Sequence, residues 1–254
     1  MMSAQLRRQE AEALLRECSD AARTDDTAIL PFGIEAMDGR LAAGGLALNG
    51  LHEVSPATST LSDDAAATLF TVGIAARAAA DRSRRVLWAV TRFDLYAPGL
   101  EQAGLDPATL LFVEVREDKD VLAVMEDALR HGGLAAVVGE VKRADMVASR
   151  RLQLAAMTGA TPALLSRRWR RQATDPLTEL SAAMTRWRIA CAPSAPLPAP
   201  GVGRPRWTVE LARQRGGPGF TLELEACDAT GRLALPAAPR ARAVAAAGAA
   251  ARAA

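Results

Sequence analysis

Residues 31–54 read PFGIEAMDGRLAAGGLALNGLHEV. Three features stand in it: a Gly-x-x-x-x-Asp segment from Gly33 to Asp38, a Gly44-Gly45-Leu46 turn, and Gly50 opening a short apolar strand, 50–55, that carries Glu53. Working outward, 62–80 reads as a helix with Ser62 as its N-cap and Asp63 and Asp64 in the first turn. Apolar runs then predict strands at 85–90 (RVLWAV), 110–115 (LLFVEV), 134–141 (LAAVVGEV), 162–166 (PALLS) and 187–192. Helices are predicted between them at 120–131, stopped by Gly132-Gly133, at 144–158 and at 176–184. Strands 207–213 and 220–225 flank RGGPG and read as a hairpin. Uninterrupted apolar strands alternating with helices imply an α/β fold: a mostly parallel central sheet flanked by helices, with antiparallel C-terminal edge strands.

The opening segment resembles the entry to a RecA-family ATPase core, and the likeness runs in pattern and order to about residue 226. In such a core the first strand opens into a phosphate loop, Gly-x-x-x-x-Gly-Lys-Ser/Thr, that caps the next helix. Here that place reads SPATSTLS, 55–62. Ser55 and Thr60 stand where the glycines belong and Leu61 where the lysine belongs; Ser62 alone fits. Glycines let backbone N–H groups converge on phosphate, and the lysine supplies the cation between the outer phosphates. Leucine supplies neither charge nor donor.

Asp63 and Asp64 suit the helix dipole by roughly 0.3–1 kcal/mol each. They oppose phosphate, because two like charges ~4 Å apart repel by about 4 kcal/mol at an effective dielectric of ~20. The resemblance places a catalytic glutamate after the strand RVLWAV, where Arg92 is the nearest match, and a Walker-B aspartate at the end of LAAVV, where Gly139 stands with Glu140 beside it. Glu140 is expected to be solvated or salt-bridged. The expectation is a pseudo-ATPase with no cofactor and no metal.

A degenerate RecA-like core with an N-terminal helix and an Ala/Arg-rich tail resembles the ImuA family. That resemblance implies an accessory role in damage-induced mutagenesis: an adaptor of a translesion-synthesis complex, beside an ImuB-like Y-family protein, RecA and, indirectly, an error-prone C-family DNA polymerase. The other reading kept open is a cell-division inhibitor of the SulA type, which binds a tubulin-like division protein. A residual nucleotide-binding enzyme is a third.

The 254 residues, 50% hydrophobic and 24% charged, suffice for one sizeable core. The expected division is a helix and linker over 1–29, a core over 30–232, and a low-complexity, disordered tail over 233–254. Leu6, Leu14 and Leu15 give 3–23 an amphipathic pattern, suited to a docking arm or to folding back on the core. No membrane span and no signal-peptide core appear, so the expected location is cytoplasmic, at the nucleoid when engaged. Cys18, Cys191 and Cys227 show no metal or disulfide spacing and read as small buried or partly buried hydrophobes. His52 and His131 have no nucleophile or ligand neighbours. The acidic run 114–120 reads as a solvated loop.

Net charge is +2, but 142–215 holds fourteen Lys/Arg against four Asp/Glu, +10, leaving −8 elsewhere. This asymmetry suggests an acidic partner. Within it, Arg167, Arg168, Trp169, Arg170 and Arg171 follow the strand PALLS, where RecA proteins insert a DNA-contacting loop. Arginines around one indole suit phosphates and a stacked base, so weak single-stranded DNA binding is an expectation; an acidic protein surface fits as well. Trp187 and Trp207 read as core residues.

Overall fold

The computed structural model describes residues 28–82, 84–169, 175–195, 197 and 201–236. The helix expected at 3–23 and the tail beyond 236 lie outside them. The chain opens with β1 (Ile29–Leu30), a helical turn α1 (Glu35–Asp38) and β2 (Leu46–Ala47), which pairs antiparallel with β1. The Gly-x-x-x-x-Asp segment now has a physical reading. Asp38 accepts the backbone N–H groups of Phe32 (2.8 Å), Gly33 (2.8 Å) and Ile34 (3.2 Å), and Gly33 takes φ +77° to turn them inward. At Gly45 a Cβ would stand 2.7 Å from the Leu30 carbonyl oxygen, so only glycine lets the two segments close.

β3 (Leu51–Pro56) leads into α2 (Leu61–Arg82), β4 (Val86–Val90), α3 (Ala97–Gln102), β5 (Leu110–Glu114), α4 (Asp118–His131), β6 (Ala136–Val141), α5 (Met146–Gly159) and β7 (Ala163–Arg167). β8 (Thr185–Ala192), β9 (Arg206–Gln214) and β10 (Phe220–Glu225) complete an eight-stranded sheet ordered β10-β9-β8-β3-β7-β6-β4-β5. From β8 to β5 every pairing is parallel; β8, β9 and β10 pair antiparallel. This is the α/β architecture expected, with its antiparallel edge.

One core lies on the α2 side, where Trp187 is fully buried 5.6 Å from the ring of Phe32 and 5.7 Å from that of Phe70. Trp207 packs there too, 6.5 Å from Phe70, so both tryptophans are core residues as read. The other core lies under α4 and α5 and includes Val121, Met125, Leu129 and Leu152. Each such side chain contributes roughly 1.5–3 kcal/mol by leaving water.

Three expectations need correction. The helix predicted over 176–184 is a single 3-10 turn, Pro176–Thr178, started by the Asp175 carboxylate on the Leu177 N–H (2.8 Å). Beyond it, Ser181 bonds to Glu53 and the Ala182 N–H to the Ser149 hydroxyl, and both contacts pull the chain out of helical register. α2 starts at Leu61, and Thr60, not Ser62, accepts the N–H of Asp63 at its end (3.4 Å). Finally, the chain stays on the core past 232: Leu233 is buried and Ala234 bridges Glu225.

Candidate functional site: the cradle between β3 and α2

Segment 57–60 links β3, at the centre of the sheet, to α2. A cavity of about 580 Å³ opens where β3, β4, β6 and β7 end; Pro56, Leu61, Arg92, Glu140 and Trp169 are among its walls. This is the place where a RecA-like core holds phosphate.

The loop residues are tied to one another and to β8. Thr58 donates to Asp63 Oδ2 (2.6 Å), and the other oxygen of Asp63 accepts the N–H of Cys191 (2.8 Å). Ser55 is buried and donates to its neighbour's carbonyl; Ser62 is exposed and reaches only Thr60 (3.4 Å). Leu61 is 88% exposed at the cavity wall. Trp169 lays its indole over the strand end, its Nε1–H donating to the Pro56 carbonyl (2.8 Å).

A guanidinium occupies the cavity's charged wall. Arg168 donates through Nη2 (2.6 Å) and Nε (2.9 Å) to Glu140 Oε2, and through Nη1 to Asp64 in the first turn of α2. The other oxygen of Glu140 accepts the indole N–H of buried Trp88 (2.9 Å). Burial alone would lower the Arg168 pKa, but Glu140 first and then Asp64 outweigh it and hold the group above the ordinary arginine value. Glu140 is therefore salt-bridged, as expected, and Arg168 pins the end of β6 to the start of α2.

The neighbouring arginine behaves differently. Arg167, expected on a partner surface, is fully buried. The strand runs through Arg167 and is buried along its whole length in a sheet covered on both faces, so that side chain is interior. It donates to Glu53 Oε1 (3.3 Å) and to Glu179. Glu53, also fully buried, accepts from Arg186 Nε (2.7 Å) and the Ser181 hydroxyl (2.7 Å) as well. Arg186 reaches on to the Leu177 carbonyl (2.8 Å). The five-residue basic surface is thus divided: Arg167 is interior, Arg168 is committed, Trp169 is half-buried, and Arg170 and Arg171 lie outside the described residues.

Other expected positions fall as follows. Gly139 faces α4, where a Cβ would stand 2.2 Å from the Met125 sulfur; Glu140, one residue on, faces the cradle. Arg92 is exposed and pairs with Asp94 (2.7 Å). The acidic run is not only solvent-facing, because Asp118 accepts the backbone N–H groups of Lys142 (3.0 Å) and Arg143 (2.9 Å) and so clamps the chain leaving β6.

His52 is buried between Thr185 Oγ1 (2.7 Å) and the Ala47 carbonyl (2.9 Å), and burial pulls its pKa down to about 4. Cys191 is exposed rather than buried; Cys227 is half-buried, its thiol pushed up to about 12 by burial, and Cys18 lies outside the described residues. No group of three or more His, Cys, Asp or Glu among the described residues is placed to hold a metal ion, and no described helix is long and apolar enough to cross a membrane.

No protein-family model matches the chain. Two curated relatives do, both named Protein ImuA, from Caulobacter vibrioides strains NA1000 / CB15N and ATCC 19089 / CIP 103742 / CB 15. Each is 40% identical over 203 residues, covering 78% of this chain and 83% of the relative.

Proposed function

This chain belongs to the ImuA family, and from that premise we propose that it is a non-catalytic, RecA-like adaptor of a translesion-synthesis complex in the bacterial DNA-damage response. In this reading it binds an ImuB-type Y-family protein and RecA, and reaches an error-prone C-family polymerase through the former. The observation that carries the reading is the Arg168 bridge. A phosphate loop keeps its cation free for the outer phosphates. Here the cation at the cradle already satisfies two carboxylates, Asp64 and Glu140.

A triphosphate entering the cradle has to break that bridge and then face the carboxylates it uncovers. The bridge is partly reached by water, and breaking it costs on the order of 2 kcal/mol. Leu61, at the position of the missing lysine, offers nothing in return. The energy of a bound nucleotide is absent from the balance, and the fold serves as a rigid frame for protein contacts.

Affinity purification of the full chain with the ImuB-type protein and with RecA, each with and without Mg-ATP, tests this. The adaptor reading expects a complex with at least one of them, formed equally in both conditions. Complexes that need Mg-ATP, or failure with both partners, contradict it.

A further inference from the structure

Helix α5 packs inward on α4 and the sheet through Leu152, Ala155 and Ala156. Its outer side carries Val147, Leu154 and Met157, exposed by 66%, 57% and 50%. At 3.6 residues per turn these three fall with Arg150 and Arg151 in one stripe roughly 120° wide. No acidic residue lies between Met146 and Gly159. Arg151 pairs with Glu126 (2.5 Å), but Arg150 has no ion pair among the described residues. The exposed side chains of Lys142 and Arg143, just ahead of the helix, have none either.

We infer that the outer face of α5 is a docking surface for an acidic amphipathic helix of a protein partner. A contiguous apolar stripe on a soluble surface marks an interaction site, and leucine, valine and methionine spaced along a helix match the groove-facing anchors of a partner helix. Methionine adapts its shape to the side chains it meets. The charge is complementary: Arg150 lies in the stripe without an ion pair and the only carboxylate on the helix is that of its N-cap, Asp145, so glutamates and aspartates flanking the partner's apolar row are selected. Nucleic acid fits this face poorly. Three aliphatic or thioether chains contribute nothing to phosphate, and α5 offers no aromatic ring on which a base stacks. The inference goes beyond the adaptor reading and does not depend on the state of the cradle.

The test uses fluorescence anisotropy on the full chain. The probe is a labelled helical peptide with leucines at i, i+3, i+4 and i+7 and glutamates on both flanks; its lysine counterpart and a single-stranded oligonucleotide serve as competitors. Saturable binding of the glutamate peptide is expected, weakened about tenfold or more by Leu154→Asp and severalfold by Arg150→Glu. The control Val202→Asp, at a 92% exposed position away from α5, leaves the affinity unchanged. Circular dichroism verifies that each variant is folded. The inference is overturned if the glutamate peptide does not bind, if Leu154→Asp has no effect, or if the oligonucleotide displaces the peptide. It is equally overturned if the peptide binds only after residues 1–27 are removed, because the face then belongs to this chain's own N-terminal segment.

Discussion

Arg167 and Arg168 are consecutive in sequence and do opposite work. Arg167 lies inside the sheet, where Glu53 on β3 receives both it and Arg186 of β8. Arg168 lies at the lip of the cavity, 17% exposed, where it joins the end of β6 to the start of α2. The first holds three strands in register around a buried carboxylate; the second fills a site. The run divides where the strand ends, Arg167 being its last residue and Arg168 the first beyond it, and a property assigned to the run as a whole belongs to neither.

The difference can be broken from the interior first. Glu53→Ala removes the carboxylate and leaves two buried guanidiniums without their shared anion; the expected loss is about 3–5 kcal/mol, read from a denaturant midpoint. A loss below ~1 kcal/mol means the pair is solvated after all. Reversing the charge of Arg167 has the same consequence, so a variant that reverses the whole 167–171 cluster tests folding before it tests DNA retention.

Next comes His52, on β3 beside Glu53. Its folded pKa of about 4 lies below the unfolded value of 6.5. The unfolded chain binds a proton more readily, so the neutral imidazole's contribution is complete above pH ~6.5 and declines as pH falls toward ~4. At about 1.4 kcal/mol per pH unit it amounts to roughly 3 kcal/mol. Stability measured from pH 7 to 4 falls less steeply in His52→Gln than in the parent; equal slopes refute the assignment.

Arg168→Ala is expected to lose about 2 kcal/mol, less than Glu53→Ala, because water reaches the rim of the cradle. Adding Glu140→Gln to that variant recovers part of the loss, since the carboxylate left behind by Arg168 is then gone. Strict additivity of the two changes rules out a shared bridge. Smallest of all, Arg92→Ala leaves the unfolding midpoint where it was, because the Arg92–Asp94 pair is solvated. A clear drop assigns Arg92 a structural role that its exposure does not suggest.

Much of this was legible in the residues. Apolar runs and the RGGPG turn located all eight strands of the main sheet within two residues at either end, and the order of strand and helix placed 55–62 between β3 and α2. The fate of Arg167 was not legible, since its partner Glu53 lies 114 positions away and no local pattern connects them. One signal was available: a glutamate in the middle of LHEVS, in a strand buried on both sides, needs a cation from its neighbours. The helix predicted over 176–184 failed for the same reason, because a proline start and good helix formers describe local preference while Ser181 answers to Glu53. Glycine at 139 reads as a lost aspartate; Met125, on the helix just before that strand, is what leaves no room for a side chain there.

Isothermal titration of Mg-ATP into the full chain addresses the filled cradle most directly. The account predicts no saturable heat up to millimolar nucleotide in the parent protein, with Arg168 still spanning Asp64 and Glu140. Stoichiometric binding in the micromolar range, accompanied by turnover, contradicts it.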